Sequence, residues 1–184
     1  MGTNTSMERS AEEKIREAVF AAKEAFGVKC HKYTGALTVE FLRSAFAQYG
    51  IPTSHRDVFI KGVPVEIDII IPKIAAVPAH GICYEADDVL AAIEVKSSGT
   101  FNKTTGENLR SCFNQIRGRS PSIWCAYVTL MERENFIHKI TSDNLGFPAY
   151  TLFWHTESKR NPQYAATGDW TGLITELQKL TEEK

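Results

Sequence analysis

Apolar residues recur along this chain with two different periods. In residues 11–26, Ile15, Val19, Ala22 and Phe26 fall at helical spacing behind acidic Glu12 and Glu13, and Gly27 ends the helix. A second helix is predicted over 35–49. There Leu37, Phe41 and Ala45 form one row with Leu42, Phe46 and Tyr49 beside it, and Gly50 and Pro52 stop it. The period then shortens. Residues 55–61 and 65–71 read as strands joined through Gly62-Val63-Pro64 in a hairpin, with Pro72 closing the second. Alternation would put Ile67, Ile69 and Ile71 on one face of that strand and Glu66, Asp68 and Ile70 on the other. Residues 73–88 have no clear period and read as a loop, and residues 89–96 form a third strand.

After a loop at 97–105, an amphipathic helix is predicted over 106–118, with Leu109, Cys112, Phe113 and Ile116 as its core stripe. A strongly apolar strand follows at 122–130, then a polar stretch with helical leanings at 131–140. A further strand at 149–155, a loop at 156–168 and a last helix at 170–180 complete the chain. Trp124, Tyr127 and Trp154 read as core. This order predicts an α/β sheet with helices on its faces. Residues 1–10 are polar and read as a flexible leader, and residues 11–184 as a single domain.

Composition changes this picture little. At 43% hydrophobic and 23% charged the chain is ordinary for a globular protein. A net charge of −1 supplies no global basic field, so any nucleic-acid contact must come from a local patch. The four cysteines, Cys30, Cys83, Cys112 and Cys125, form no C-x-x-C pair and read as reduced, buried thiols. No apolar run approaches the roughly 20 residues of a membrane span, and no signal-peptide core is present, so no membrane partner and a cytoplasmic location are expected.

The chemistry lies where charges interrupt apolar strands. Glu94 and Lys96 share one face of the third strand, opposite Ile93 and Val95. Asp68 interrupts a run of isoleucines, which points to a central strand. Two carboxylates side by side would repel each other unless a cation sat between them. Were the two strands neighbours, Asp68, Glu94 and the Val95 carbonyl would suit one hard divalent ion such as Mg²⁺. Lys96 would then orient water or offset developing negative charge. Acid, acid and lysine together describe metal-assisted phosphodiester hydrolysis. Plainer readings stand beside this one: Glu94 and Lys96 as a strand-end ion pair, and Asp68 as a carboxylate paired with Lys73. Arg110, Arg117 and Arg119 suit a phosphate backbone or a solvated helix face, and Ser97 and Lys103 suit DNA contact or a turn.

Asp68 followed by Glu94-Val95-Lys96 resembles the signature of the PD-(D/E)xK nuclease superfamily, which has the restriction endonuclease-like fold. The likeness spans residues 35–130: a helix with a central acid (Glu40), a hairpin, Ile-Asp-Ile-Ile-Ile, a spacer and Ala-Ile-Glu-Val-Lys-Ser. Glu66-Ile67-Asp68 stands where Pro-Asp would be. The resemblance implies an αβββαβ core with a central mixed sheet flanked by helices. It also implies Asp68 and Glu94 as metal ligands, Lys96 as the water-positioning residue, Glu40 as an acid completing the site and Gln115 as an accessory residue. Glu40 falls about 60° outside its helix's apolar stripe and equally reads as a solvated glutamate.

Val65-Glu-Ile-Asp-Ile-Ile-Ile with Asp87-Asp-Val-Leu-Ala-Ala-Ile-Glu-Val-Lys is also similar to the nuclease effectors of bacterial antiphage signalling, which are homo-oligomers switched on by cyclic oligonucleotides. The expectation is therefore a Mg²⁺-dependent endodeoxyribonuclease, with Mn²⁺ able to substitute, acting on DNA in prokaryotic antiphage defence. It would work as a homo-oligomer, and the second likeness raises a small-nucleotide activator. The alternatives are a catalytically silent nucleic-acid-binding or assembly module of the same fold, or an RNA-directed nuclease.

Overall fold

The structure, a computed structural model, describes residues 31–55, 57–98, 103–133, 139–155 and 164–182. The expected leader at 1–10, the helix at 11–26, Cys30, residues 134–138 of the polar stretch and residues 156–163 of the expected loop lie outside the described residues.

Described elements run α1 (His31–Gln48), β1 (Phe59–Ile60), β2 (Ile69–Pro72), β3 (Cys83–Tyr84), β4 (Val89–Ser98), α2 (Lys103–Arg119), β5 (Trp124–Arg133), α3 (Ser142–Leu145), β6 (Ala149–His155), β7 (Tyr164–Ala166) and α4 (Asp169–Glu182). A five-stranded mixed sheet has the order β2-β4-β5-β6-β7. β4, β5 and β6 run parallel, and β2 and β7 pair antiparallel at the two edges. Helices flank this sheet, so the chain adopts the α/β architecture expected of it.

Two apolar clusters separate the faces. Val39, Leu42 and Phe46 of α1 and Leu173, Ile174 and Leu177 of α4 bury Ile93 and Val95 of β4 on one side. Leu109, Phe113 and Ile116 of α2 bury Ala92, Cys125 and Tyr127 on the other. Leu109, Phe113 and Ile116 recur at the spacing that makes one helical stripe, and Gly106 one turn earlier extends it. Gly50 ends α1 at a φ of +74°, a backbone region that favours glycine.

Several expectations are corrected. β2 is an edge strand and not a central one. Its isoleucines are nevertheless fully buried, because helices and loops cover both faces and Ser54 covers the edge. The Ser54 N–H donates to the Ile70 carbonyl at 2.8 Å, and the Ile70 N–H donates to Ser54 Oγ at 3.0 Å. The expected hairpin shrinks to one bridge between Val58 and Ile67, and β1 pairs in parallel with β3, inside the stretch read as a loop. Regular alternation also breaks at Asp68. Ile69 and Ile71 join the α1 side while Ile67 and Ile70 join the α2 side. β5 continues to Arg133 through polar residues read as helical, since Met131, Glu132 and Arg133 all pair with β6. β7 replaces part of a predicted loop.

Candidate active site

The break at Asp68 builds the site. In β2, Ile69 stands opposite Ile93 and Ile71 opposite Ala91, so a regular ladder would next set Ile67 against Val95. Instead the backbone of Ile67 leaves to exchange hydrogen bonds with Val58, at 2.8 and 3.4 Å. The Val95 N–H is left without a strand partner on that edge, and the Asp68 carboxylate takes it, with Oδ2 accepting at 2.7 Å. In an extended strand a residue's N–H and C=O face the same edge, so the Val95 carbonyl points toward Asp68 as well.

Glu94 and Lys96 project from the α2 face of β4, opposite Ile93 and Val95. The Lys96 ammonium donates to Glu94 Oε1 and lies 3.8 Å from Asp68 Oδ2. These three side chains are therefore one cluster, and among the described residues the lysine beside Asp68 is Lys96 and not Lys73. The Asp68, Glu94 and Lys96 side chains keep 25, 21 and 45% of their exposure, enough for water or an ion to enter.

Burial pushes the Glu94 carboxyl above the ordinary carboxylate range, and the charge of Asp68 pushes the same way. The Lys96 ammonium only partly offsets them. For Lys96 burial pulls downward, but the charge and hydrogen bond of Glu94, with help from Asp68, outweigh it and the net direction is up. The lysine thus acts as the resident counter-ion of two crowded acids.

Two carboxylates and a main-chain carbonyl are an all-oxygen donor set, which suits a hard divalent cation that takes one or two carboxylates and fills its other positions with water and phosphate. Among the described residues no group of three or more His, Cys, Asp or Glu side chains gathers as a metal site. The candidate centre is the carboxylate pair.

The remaining sequence-derived candidates are spread out. Glu40 is exposed on α1, which covers the opposite face of the sheet, and both its oxygens accept from Arg43 Nη1, at 2.8 and 2.9 Å. It is not brought to the cluster, because its helix turns Val39 and Leu42 inward. Gln115 is exposed and donates to Ser111 Oγ on its own helix at 3.3 Å. Arg110 donates to the Asn144 carbonyl at 3.0 Å, Arg117 lies 6.0 Å from the centre of the Phe147 ring, and Arg119 donates to the Gly62 carbonyl at 3.0 Å. Among the described residues each guanidinium thus has a partner within the protein. Lys103 is exposed at the start of α2, 4.0 Å from Glu107. Ser97 follows Lys96 and, by alternation, faces the other way.

Two residues read only as core adjoin the cluster. Cys112, on α2, feels the charges of Glu94 and Lys96, and burial raises its thiol to about 11. Tyr127 of β5 is the register partner of Glu94. Burial above all lifts its phenol to about 12, with the charges of Glu94, Glu132 and Asp68 adding to the effect. Thr129 pulls the other way but stands outside hydrogen-bonding geometry. The signal that finds Tyr127 is strand register, which sequence periodicity does not carry.

No protein-family model matches this sequence, and no curated protein matches it. Solved structures do. NucC of P. aeruginosa ATCC27853 in its cAAA-bound form is 11% identical with a TM-score of 0.60, over 97% of this chain and 92% of that one. NucC of E. coli MS115-1 in its apo form is 12% identical with a TM-score of 0.55, over 95% of this chain and 91% of that one. At these identities the likeness is one of fold, the mixed sheet with flanking helices.

Proposed function

We propose that this chain is a metal-dependent endonuclease of the PD-(D/E)xK kind, hydrolysing DNA phosphodiester bonds in antiphage defence. The observation that carries the reading is the convergence of Asp68, Glu94 and Lys96 at a bend in β2 that leaves a main-chain carbonyl beside two crowded acids. The fold likeness to NucC, one structure of which is cAAA-bound, supports it beside the resemblance of the Asp68 and Glu94-Val95-Lys96 segments to antiphage nuclease effectors.

In this reading Asp68, Glu94 and the Val95 carbonyl would hold Mg²⁺, with Mn²⁺ able to take its place. Bound there, the ion would offset charge on the scissile phosphate and make a bound water more acidic. Asp68 contributes one oxygen while its Oδ2 keeps the Val95 N–H, which fixes the carboxylate against the strand. Lys96 exchanges its contact with Glu94 for the attacking water and offsets charge as the phosphate is attacked. Lys103 and the open edges of Arg110, Arg117 and Arg119 contact the DNA backbone. The reading includes self-association. Ile74 and Val77, 83 and 85% exposed, offer an apolar surface to another copy. It also includes a cyclic oligonucleotide as activator, by analogy with NucC bound to cAAA.

The test is a Mg²⁺ titration of the purified chain with plasmid DNA and with RNA in parallel, each with and without cAAA. Expected are nicks and breaks in DNA that need Mg²⁺ or Mn²⁺ and disappear in EDTA. Cleavage undiminished in EDTA would overturn the reading, as would DNA bound but uncut in every arm, or RNA cut in preference to DNA.

A further inference from the structure

A buried polar atom without a partner is costly, and one remains beside the candidate site. Tyr127 keeps only 1% of its exposure, and its hydroxyl has no hydrogen-bond partner among the described residues. Its place in the sheet says what it faces. Tyr127 of β5 pairs in register with Glu94 of β4, and registered neighbours in a parallel pair, about 4.8 Å apart, point to the same face. The next pair on that face is Thr129 with Lys96. The phenol therefore stands on the buried flank of the acid that Lys96 now holds. A tyrosine phenol is protonated at neutral pH, so it is a donor facing acceptors. A purely structural tyrosine at this position would do better as phenylalanine, because an unsatisfied buried hydroxyl destabilises the fold.

Resting on the functional reading above, we propose that Tyr127 is a positioning residue for Glu94: its hydroxyl donates to the Glu94 carboxylate when a divalent cation displaces Lys96 from it. A cation between Asp68 and Glu94 repels the Lys96 ammonium, and Glu94 then loses the one charged donor it now has. Tyr127 replaces that donor from the protein side. It holds the carboxylate's orientation toward the ion without adding a second positive charge. Partners of this kind, one step behind the metal ligands, orient those ligands and set affinity.

Calorimetric Mg²⁺ titration of the metal-free chain without DNA, together with thermal unfolding, tests this in Tyr127→Phe. The expected variant binds Mg²⁺ about tenfold more weakly or worse, yet melts at the same temperature as the wild type or higher. Affinity within about twofold of wild type would overturn the role. So would weaker binding that comes with a drop in melting temperature, since that marks general loosening. A wild-type chain that takes up no Mg²⁺ would overturn the functional reading itself, a result distinct from an unaffected variant.

Discussion

The two faces of β4 are built from alternate residues of one strand and are held to the protein by different means. On one side Ile93 and Val95 lie in a dry cluster under α1 and α4, where Phe41, Phe46 and Tyr49 surround Trp170 with ring centres 6.2 to 6.5 Å away. On the other, Ala92 is dry, but Glu94 and Lys96 come next and open to water. The elements on that side are tied in part by polar clamps. Arg119 reaches from the end of α2 to the turn at Gly62, and Arg110 reaches the carbonyl of Asn144 at α3. Gly62, at a φ of +78°, lies so close under Arg119 that a Cβ there would stand 2.7 Å from the guanidinium carbon. The aromatic side supplies burial, and the polar side tolerates a cluster of charges because the opposite face is so well packed. Stability and chemistry should therefore separate by face.

The sharpest break of that comparison is Lys96→Met. The stem is kept and the ammonium removed, so the chain should stay folded, with an unchanged far-ultraviolet circular dichroism spectrum and a cooperative unfolding transition. Cleavage of plasmid DNA should fall by about a hundredfold to a thousandfold, the order seen when one preorganised donor to developing negative charge is lost. Retained cleavage would mean that the cluster is a structural ion pair, and the chemistry would have to be sought elsewhere.

The charged residues at issue were legible in the sequence because alternation alone sets Glu94 and Lys96 on one side of an apolar strand, and Asp68 stood out among isoleucines. What brings Asp68 to them was not legible. It depends on Ile67 abandoning the ladder for Val58, a tertiary choice with no local signature. The isoleucines suggested a central strand for the same reason: burial on both faces leaves an identical pattern whether the edge is paired or covered by Ser54. Glu132 and Arg133 are polar yet remain with Met131 in β5 because β6 pairs with all three, pairing that overrides the weak strand propensity of the charged residues. Glu40 shows the converse. It matched a family position by order along the chain, but its helix turns that residue to solvent and to Arg43. Tyr127 was legible as core and no further, since its neighbour Glu94 lies 33 positions away and only register joins them.

The aromatic face should show the opposite behaviour. Trp170 is buried among three rings and donates weakly to Tyr49 Oη at 3.4 Å. Trp170→Ala leaves a large cavity there, and denaturant unfolding should show a loss of about 3 to 5 kcal/mol. Cleavage per folded molecule, measured where the variant is still fully folded, should match wild type. A specific loss of activity without a loss of stability would erase the division between the faces.

The smallest and most graded effect lies in pH. Glu94 has a folded-state pKa above its ordinary value of 4.5, from burial first and Asp68 second. The folded chain therefore binds that proton more tightly than the unfolded chain does. Stability from this group is present at low pH and declines as pH rises from 4.5 to the raised value. Lys96 has the same sign but at a much higher pH. Its raised pKa contributes stability that is full below 10.5 and is lost only in alkali as pH passes the folded value, so it leaves the acidic window to Glu94. A protonated Glu94 is a poor ligand. Mg²⁺ affinity should therefore climb with pH across that same window, by at most about tenfold per unit for one proton released, and level off above it. Calorimetric titrations from about pH 5 to about pH 8 should trace that rise in wild type and a much flatter profile in Glu94→Gln, where no proton is left to displace. A rise of equal slope in Glu94→Gln would assign the titrating group to another residue, and the electrostatic contrast between the two faces of β4 would then not lie in this acid.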